Sequence, residues 1–265
     1  MRFACLLILL IAGCSTRKII QLPAPKEITS GTELIKAAFS YNYKQRDSLV
    51  ISEFIKGNIP DYLRSFVPVN TEIIGKNGRK ISATYYVSPD YLSIGKEDWV
   101  RIPITPMAAQ QIADNISCFL PTRKMVDDIY RSAKVKLDPV PLYAFRDSTP
   151  IMYQHHLIIE GQRKGRKGLI AGIKKDVVIT GKILRDPKQN RVAIYGWHKA
   201  DGKPIQPLYT GHVDWYVDYS HGIRLVYRKI KVDGKWMDYV DILKDEALRT
   251  LLCDEEYCDY YKYSY

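Results

Sequence analysis

Two periods of hydrophobic and polar positions run along this 265-residue chain. Leu34, Ile35 and Ala38, and then Leu49, Val50 and Phe54, recur at helical spacing and predict helices over 32–39 and 48–55. Residues 69–74 and 80–87 read as strands around Gly75-Lys76-Asn77-Gly78-Arg79, where Asn-Gly is a strong hairpin signal. A further strand is expected over 99–104. Thr105-Pro106 then supplies an N-cap and a first-turn proline for a helix to about residue 117. Pro121-Thr122 opens another helix, with Met125, Val126, Ile129, Tyr130 and Ala133 on one face.

After residue 150 the pattern is β-rich. Strands are expected over 156–160, 169–173, 177–180, 192–197, 223–232 and 236–242, with Asp233-Gly234 as a hairpin turn between the last two. A short helix is expected over 245–252, and the Tyr-rich tail gives no clear period. The predicted class is α+β: N-terminal helices and a hairpin packed on a C-terminal, mostly antiparallel β-core. Pro139, Pro141 and Pro150 mark a connector, which divides the chain into regions 31–137 and 138–265. Pro23 and Pro25 stiffen a segment, 14–30, that reads as a tether.

The first 13 residues, one Arg followed by an apolar run, have the length of a signal peptide and are too short to span a bilayer. The run ends in Ile11-Ala12-Gly13-Cys14, which resembles the lipobox of bacterial lipoproteins. That resemblance implies lipidation of Cys14 and a soluble domain held on a membrane by acyl chains. Ser15, where an inner-membrane retention signal would place Asp, favours the outer membrane, facing the periplasm. The formal charge of +11 favours polyanionic partners such as peptidoglycan or an anionic glycan. No nucleic-acid motif appears. The densest basic run is 162–167. In an oxidising compartment, Cys118, Cys253 and Cys258 make some disulfide pairing expected.

Three of the five histidines fall between Arg191 and Arg228, on what reads as a loop between two strands, and crowded titratable side chains on such a loop suggest a site. His198, His212 and His221 are candidate ligands for zinc or another divalent transition metal, although their spacing matches no standard signature. For metal-free acid–base work the candidates are His198, His221, Asp218 as orienter and Ser220 as nucleophile. Lys174, Lys175 and Asp176 are candidate partners on a neighbouring strand. Trp197 and Trp215 are candidates for stacking on sugar rings, with Arg224 or Lys174 holding an anionic group. A polysaccharide lyase would use Tyr219 and His221 as base and acid. One pocket is expected from residues 174–176, 195–198 and 212–224. The expected function is an envelope enzyme on peptidoglycan or glycan. The alternative is a non-catalytic wall- or glycan-binding lipoprotein.

Ser220-His221-Gly222-Ile223-Arg224 resembles the Ser-His-Gly-Cys-x-Arg signature of L,D-transpeptidases, and Tyr195-Gly196-Trp197-His198 stands where that family has an upstream His. The cysteine is missing and Arg224 comes one position early, so the thiol chemistry is not implied. The stretches GNIPDYLR, LPTRKMVDDIY, AGIKKDVVIT and DYSHGIRLV are similar to a family of uncharacterised secreted bacterial proteins. That similarity implies one folding unit and no functional residues.

Overall fold

A computed structural model describes residues 17–265. Residues 1–13 and Cys14 lie outside them. Strand β1 (Arg17–Lys18) pairs antiparallel with the start of β2 (Ser65–Ile74). Ile20 is fully buried, and Arg64 donates to the carbonyls of Leu22, Pro23 and Gly57. The segment expected to be a tether is therefore docked from Arg17 onward. Its apolar Ile19, Ile20 and Leu22 meet the core, a contact that the flanking prolines concealed. Gly57, at φ +79°, admits this approach: a Cβ there would lie 2.0 Å from the Pro23 carbonyl oxygen.

Helix α1 (Gly31–Ala37) is capped by Ser30, and α2 (Tyr43–Ile55) begins five residues earlier than its apolar spacing indicates. An Asn42–Gln45 capping box sets that start. β2 and β3 (Lys80–Val87) form the expected hairpin. Short strands β4 (Ser93–Ile94) and β5 (Val100–Arg101) pair with each other. Thr105 accepts from Ala108 N to cap α3 (Pro106–Asn115). After β6 (Cys118–Phe119), Thr122 does the same from Met125 N for α4 (Arg123–Ser132).

Strand β7 (Val135–Lys136) pairs in parallel with β8 (Ile170–Ala171) across α5 (Thr149–Arg163). The strand expected over 156–160 is helix instead. Thr149, Met152, His155, His156 and Ile159 are buried at helical spacing, and Pro150 sits in the first turn. β9 (Lys175–Val178), the single turn α6 (Lys182–Arg185), β10 (Arg191–His198) and β11 (Pro204–Val213) follow. Residues 204–213, within the loop expected between strands 192–197 and 223–232, are thus strand β11. Pro204 and Pro207 suggested a loop, but an edge strand accepts residues without an N–H, and β11 is the edge. β12 (His221–Gly222) completes a four-stranded sheet in the order β11-β10-β9-β12.

The expected strand 223–232 is split into β13 (Val226–Tyr227) and β14 (Lys229–Val232). β14 forms a hairpin with β15 (Lys235–Asp238), and Asp238 then caps α7 (Tyr239–Lys244). β13 and β14 both pair with β3, so strands from either side of the 138–150 connector share one sheet. The main hydrophobic cluster runs from Ile20 to Tyr263. The architecture is α+β with mostly antiparallel pairing. Among the described residues no helix is long and apolar enough to cross a membrane. Cys253 and Cys258 form a disulfide, and Cys118 is a buried free thiol. The tail is held by Tyr263, whose hydroxyl donates to Val178 O (2.7 Å) and accepts from Ala193 N (3.0 Å).

Candidate functional site

β9 organises the chemistry. Lys175 is paired with Gly196 on one side and His221 on the other, and Asp176 with Tyr195 and Gly222. Successive strand residues face opposite ways, so Lys175 and Asp176 divide the candidate residues between two faces of one sheet. The single expected pocket becomes two clusters.

The Lys175 face gathers Asp218, Ser220, His221 and His212. Asp218 Oδ1 accepts from Ser220 N (2.8 Å) and Ser220 Oγ (2.5 Å), and its Oδ2 accepts from Arg146 (2.8 Å). Burial pushes the Asp218 carboxyl up. His221, the Ser220 bonds and Lys175 outweigh it and bring the group down to about 2. His221 is 1% exposed, and its Nε2 lies 3.8 Å from Asp218 Oδ1 without a hydrogen bond. Burial drives its pKa down to about 4. Burial likewise lowers Lys174, whose Nζ donates to Tyr219 O, to about 7. The Ser220 proton is directed at Asp218 rather than at an imidazole, which is not the order a serine nucleophile needs. Tyr219 is buried and its hydroxyl accepts from Leu142 N (2.6 Å), so the expected lyase base faces the interior. This face meets solvent only at its margin, through His212, Tyr216 and Arg146.

Arg224, expected to hold an anionic ligand, is fully buried instead. Its guanidinium donates to Ser88 O (2.9 Å) and Ile170 O (2.7 Å) and lies 4.2 Å from the Tyr91 ring centre. It belongs to the core because Asp176, also buried, stands 3.7 Å away and needs a counter-charge. Burial still raises Asp176 to about 6. Gly222, the glycine of the transpeptidase-like stretch, has a packing reason: a Cβ there would meet the Tyr91 ring at 2.6 Å.

The Asp176 face is covered by α4, through Val126 against Val178, Ala193 and Tyr195. Here His198 finds its acid. Its Nε2 sits 2.8 Å from Asp127 Oδ1, and the Tyr195 hydroxyl donates to the same carboxylate at 2.9 Å and 3.1 Å. The Tyr130 ring stacks on the imidazole, centroids 4.4 Å apart and 15° between planes. Tyr130 is fixed in turn by its hydroxyl on Lys199 O (2.6 Å). These groups, with Arg131 and Lys136, line an open cavity of about 440 Å³. β10 reaches it by a distortion. Its pairing with β11 shifts register between Ile194 and Gly196, and Trp197 takes φ +59°. A bulky residue in that conformation is a strained backbone of the kind that re-aims functional side chains. The Trp197 indole donates to Ile173 O and lies under Lys175 Nζ, so it serves as core rather than as a stacking platform. Trp215 is 44% exposed.

Asp127 was not among the sequence-derived candidates. It lies one position off the apolar stripe of α4, 71 residues before His198, and reads locally as an ordinary solvated acid. His212 and His221 have ring centroids 6.2 Å apart, while His198 belongs to the other face. Among the described residues no group of three or more His, Cys, Asp or Glu stands where it could hold a metal ion. Comparison with protein families, with curated proteins and with solved structures finds no match.

Proposed function

We propose that this chain is a lipid-anchored protein of the bacterial cell envelope, held at Cys14, that performs acid–base chemistry on peptidoglycan or an envelope glycan. The observation that carries the reading is the Asp127–His198 pair, 2.8 Å apart and lining an open cavity. Asp127 and the Tyr130 ring orient the imidazole, which exchanges the proton through the nitrogen not engaged by the carboxylate. Tyr195 shares the Asp127 charge. Arg131, itself paired with Asp128, and Lys136 are offset on the rim by Asp127 and Asp201, so the lining favours neither sign of substrate charge. The outer-membrane, periplasm-facing location rests on the lipobox and Ser15.

The test is incubation of the purified full chain with peptidoglycan and with acidic oligosaccharides, with products read by mass spectrometry. General acid–base catalysis contributes about 100-fold or more to a rate. Turnover is therefore expected to fall by that factor in His198→Gln and in Asp127→Asn, and to persist in His221→Asn. Full turnover in His198→Gln refutes the assignment.

A second reading, a non-catalytic glycan binder, is favoured by a different observation. The exposed Trp215 stands with Tyr41, Tyr43 and Tyr216 around a cavity of about 530 Å³, and such rings stack on sugars. Binding of glycan without any product, lost in Trp215→Ala, would select it.

A further inference from the structure

The basic run 162–167 takes part in neither cluster. Helix α5 ends at Arg163, and Lys164 (φ +48°) and Gly165 (φ +70°) reverse the chain. Arg166 folds back onto the carbonyls of Gln162 and Arg163, satisfying the helix end. This leaves Arg163 and Lys167 facing a separate cavity of about 480 Å³. Trp99 and Tyr62 line it, edge to face at 5.0 Å, and Lys96 adds a third cation.

The electrostatics of this cavity are arranged in advance. Two carboxylates beside it are already taken. Asp90 is bound by Arg101 at 2.5 Å, and Glu160 by Arg101 at 2.7 Å and Arg163 at 2.9 Å. Lys96 and Lys167 form no ion pair among the described residues, and against these two free cations the lining sets one unpaired carboxylate, Asp61. Trp99 is held by Tyr62, by His156 at 5.5 Å and by the guanidinium groups of Arg101 (4.7 Å) and Arg163 (5.1 Å). A fixed indole beside unpaired cations suits a ligand with an apolar face and a negative group.

We infer that this cavity binds a carboxylate-bearing sugar ring, its apolar face against the wall formed by Tyr62 and Trp99 and its charge met by Lys167 and Lys96. The site shares no lining residue with the His198 cavity, so it stands or falls independently of the catalytic reading.

The test is calorimetric titration of the full chain with three probes: a uronate tetramer, a disaccharide containing N-acetylmuramic acid, and a neutral glucose tetramer. At least one acidic probe is expected to bind ten-fold or more tighter than the neutral one, and which of them binds identifies the source of the carboxylate. The Lys96→Gln/Lys167→Gln double variant is expected to lose ten-fold or more in affinity with an unchanged thermal midpoint, because neither lysine holds the fold. His198→Gln is expected to bind like the native chain. Equal affinity for the neutral tetramer, no binding of either acidic probe, or an unaffected double variant overturns the inference.

Discussion

Acidification from pH 7 to pH 5 should destabilise this fold sharply through three buried histidines. His155, His156 and His221 are all held neutral, chiefly by burial, with pKa values brought down to about 2, about 3 and about 4 from 6.5. In the window from about 4 to 6.5 the unfolded chain binds more protons than the folded one. Stability therefore rises with pH across that window and is lost on acidification. Between pH 7 and pH 5 each such histidine loses about 1.8 kcal/mol, or about 5 kcal/mol for the three. Asp176, raised from 3.8 to about 6 by burial, works the other way. Its folded form takes up the proton first and returns about 1 kcal/mol. The net loss is about 4 kcal/mol, a large part of a typical domain stability of roughly 5–15 kcal/mol. Urea unfolding at pH 7, 6 and 5, followed by tryptophan fluorescence, measures it. His155 supplies the control. Among the described residues neither of its ring nitrogens makes a hydrogen bond of normal geometry, so His155→Leu is expected to leave stability at pH 7 within about 1 kcal/mol and to remove about 1.8 kcal/mol, nearly half, of the net acid loss. A total loss below about 1 kcal/mol, or an unchanged pH profile in His155→Leu, would refute the reasoning.

Other perturbations probe separate features. Asp90→Ala leaves the 1%-exposed Arg101 without its closest counter-charge and is expected to cost about 3–5 kcal/mol in chemical denaturation; a cost under about 1 kcal/mol contradicts a buried pair. Ile20→Ala removes a fully buried side chain from the docked N-terminal segment and should cost about 2–4 kcal/mol, whereas a free tether would lose nothing. Replacing Cys253 and Cys258 together by Ser opens a loop of sequence separation 5 and should cost about 2 kcal/mol, read as a shift in the urea midpoint.

Local signals carried the elements that depend only on nearby residues. Asn77-Gly78 placed the β2–β3 hairpin, and Thr105-Pro106 and Thr122 placed the starts of α3 and α4, because a turn or a cap is decided within four residues. The α+β class is legible for the same reason, and the Asn42–Gln45 capping box is the local signal for the start of α2. His156–Glu160 is a short apolar run that fits either period, and only packing against the core selects the helix. The burial of Ile20 and the bonds from Arg64 to Leu22 and Pro23 are long-range contacts with no local signature.

The sequence also places three histidines in one region, but it does not determine which acid each one meets. Residues 175 and 176 are neighbours in the chain and lie on opposite faces of β9, so Lys175 joins the His221–Asp218 cluster while Asp176 faces Tyr91 and Arg224. His198 reaches Asp127 only because α4 packs on that second face and the strained turn at Trp197 re-aims the end of β10. Residue types, caps and turns are written in the chain locally. The pairing of titratable groups depends on strand register and helix packing, where a shift of one residue moves a side chain to the other side of the sheet.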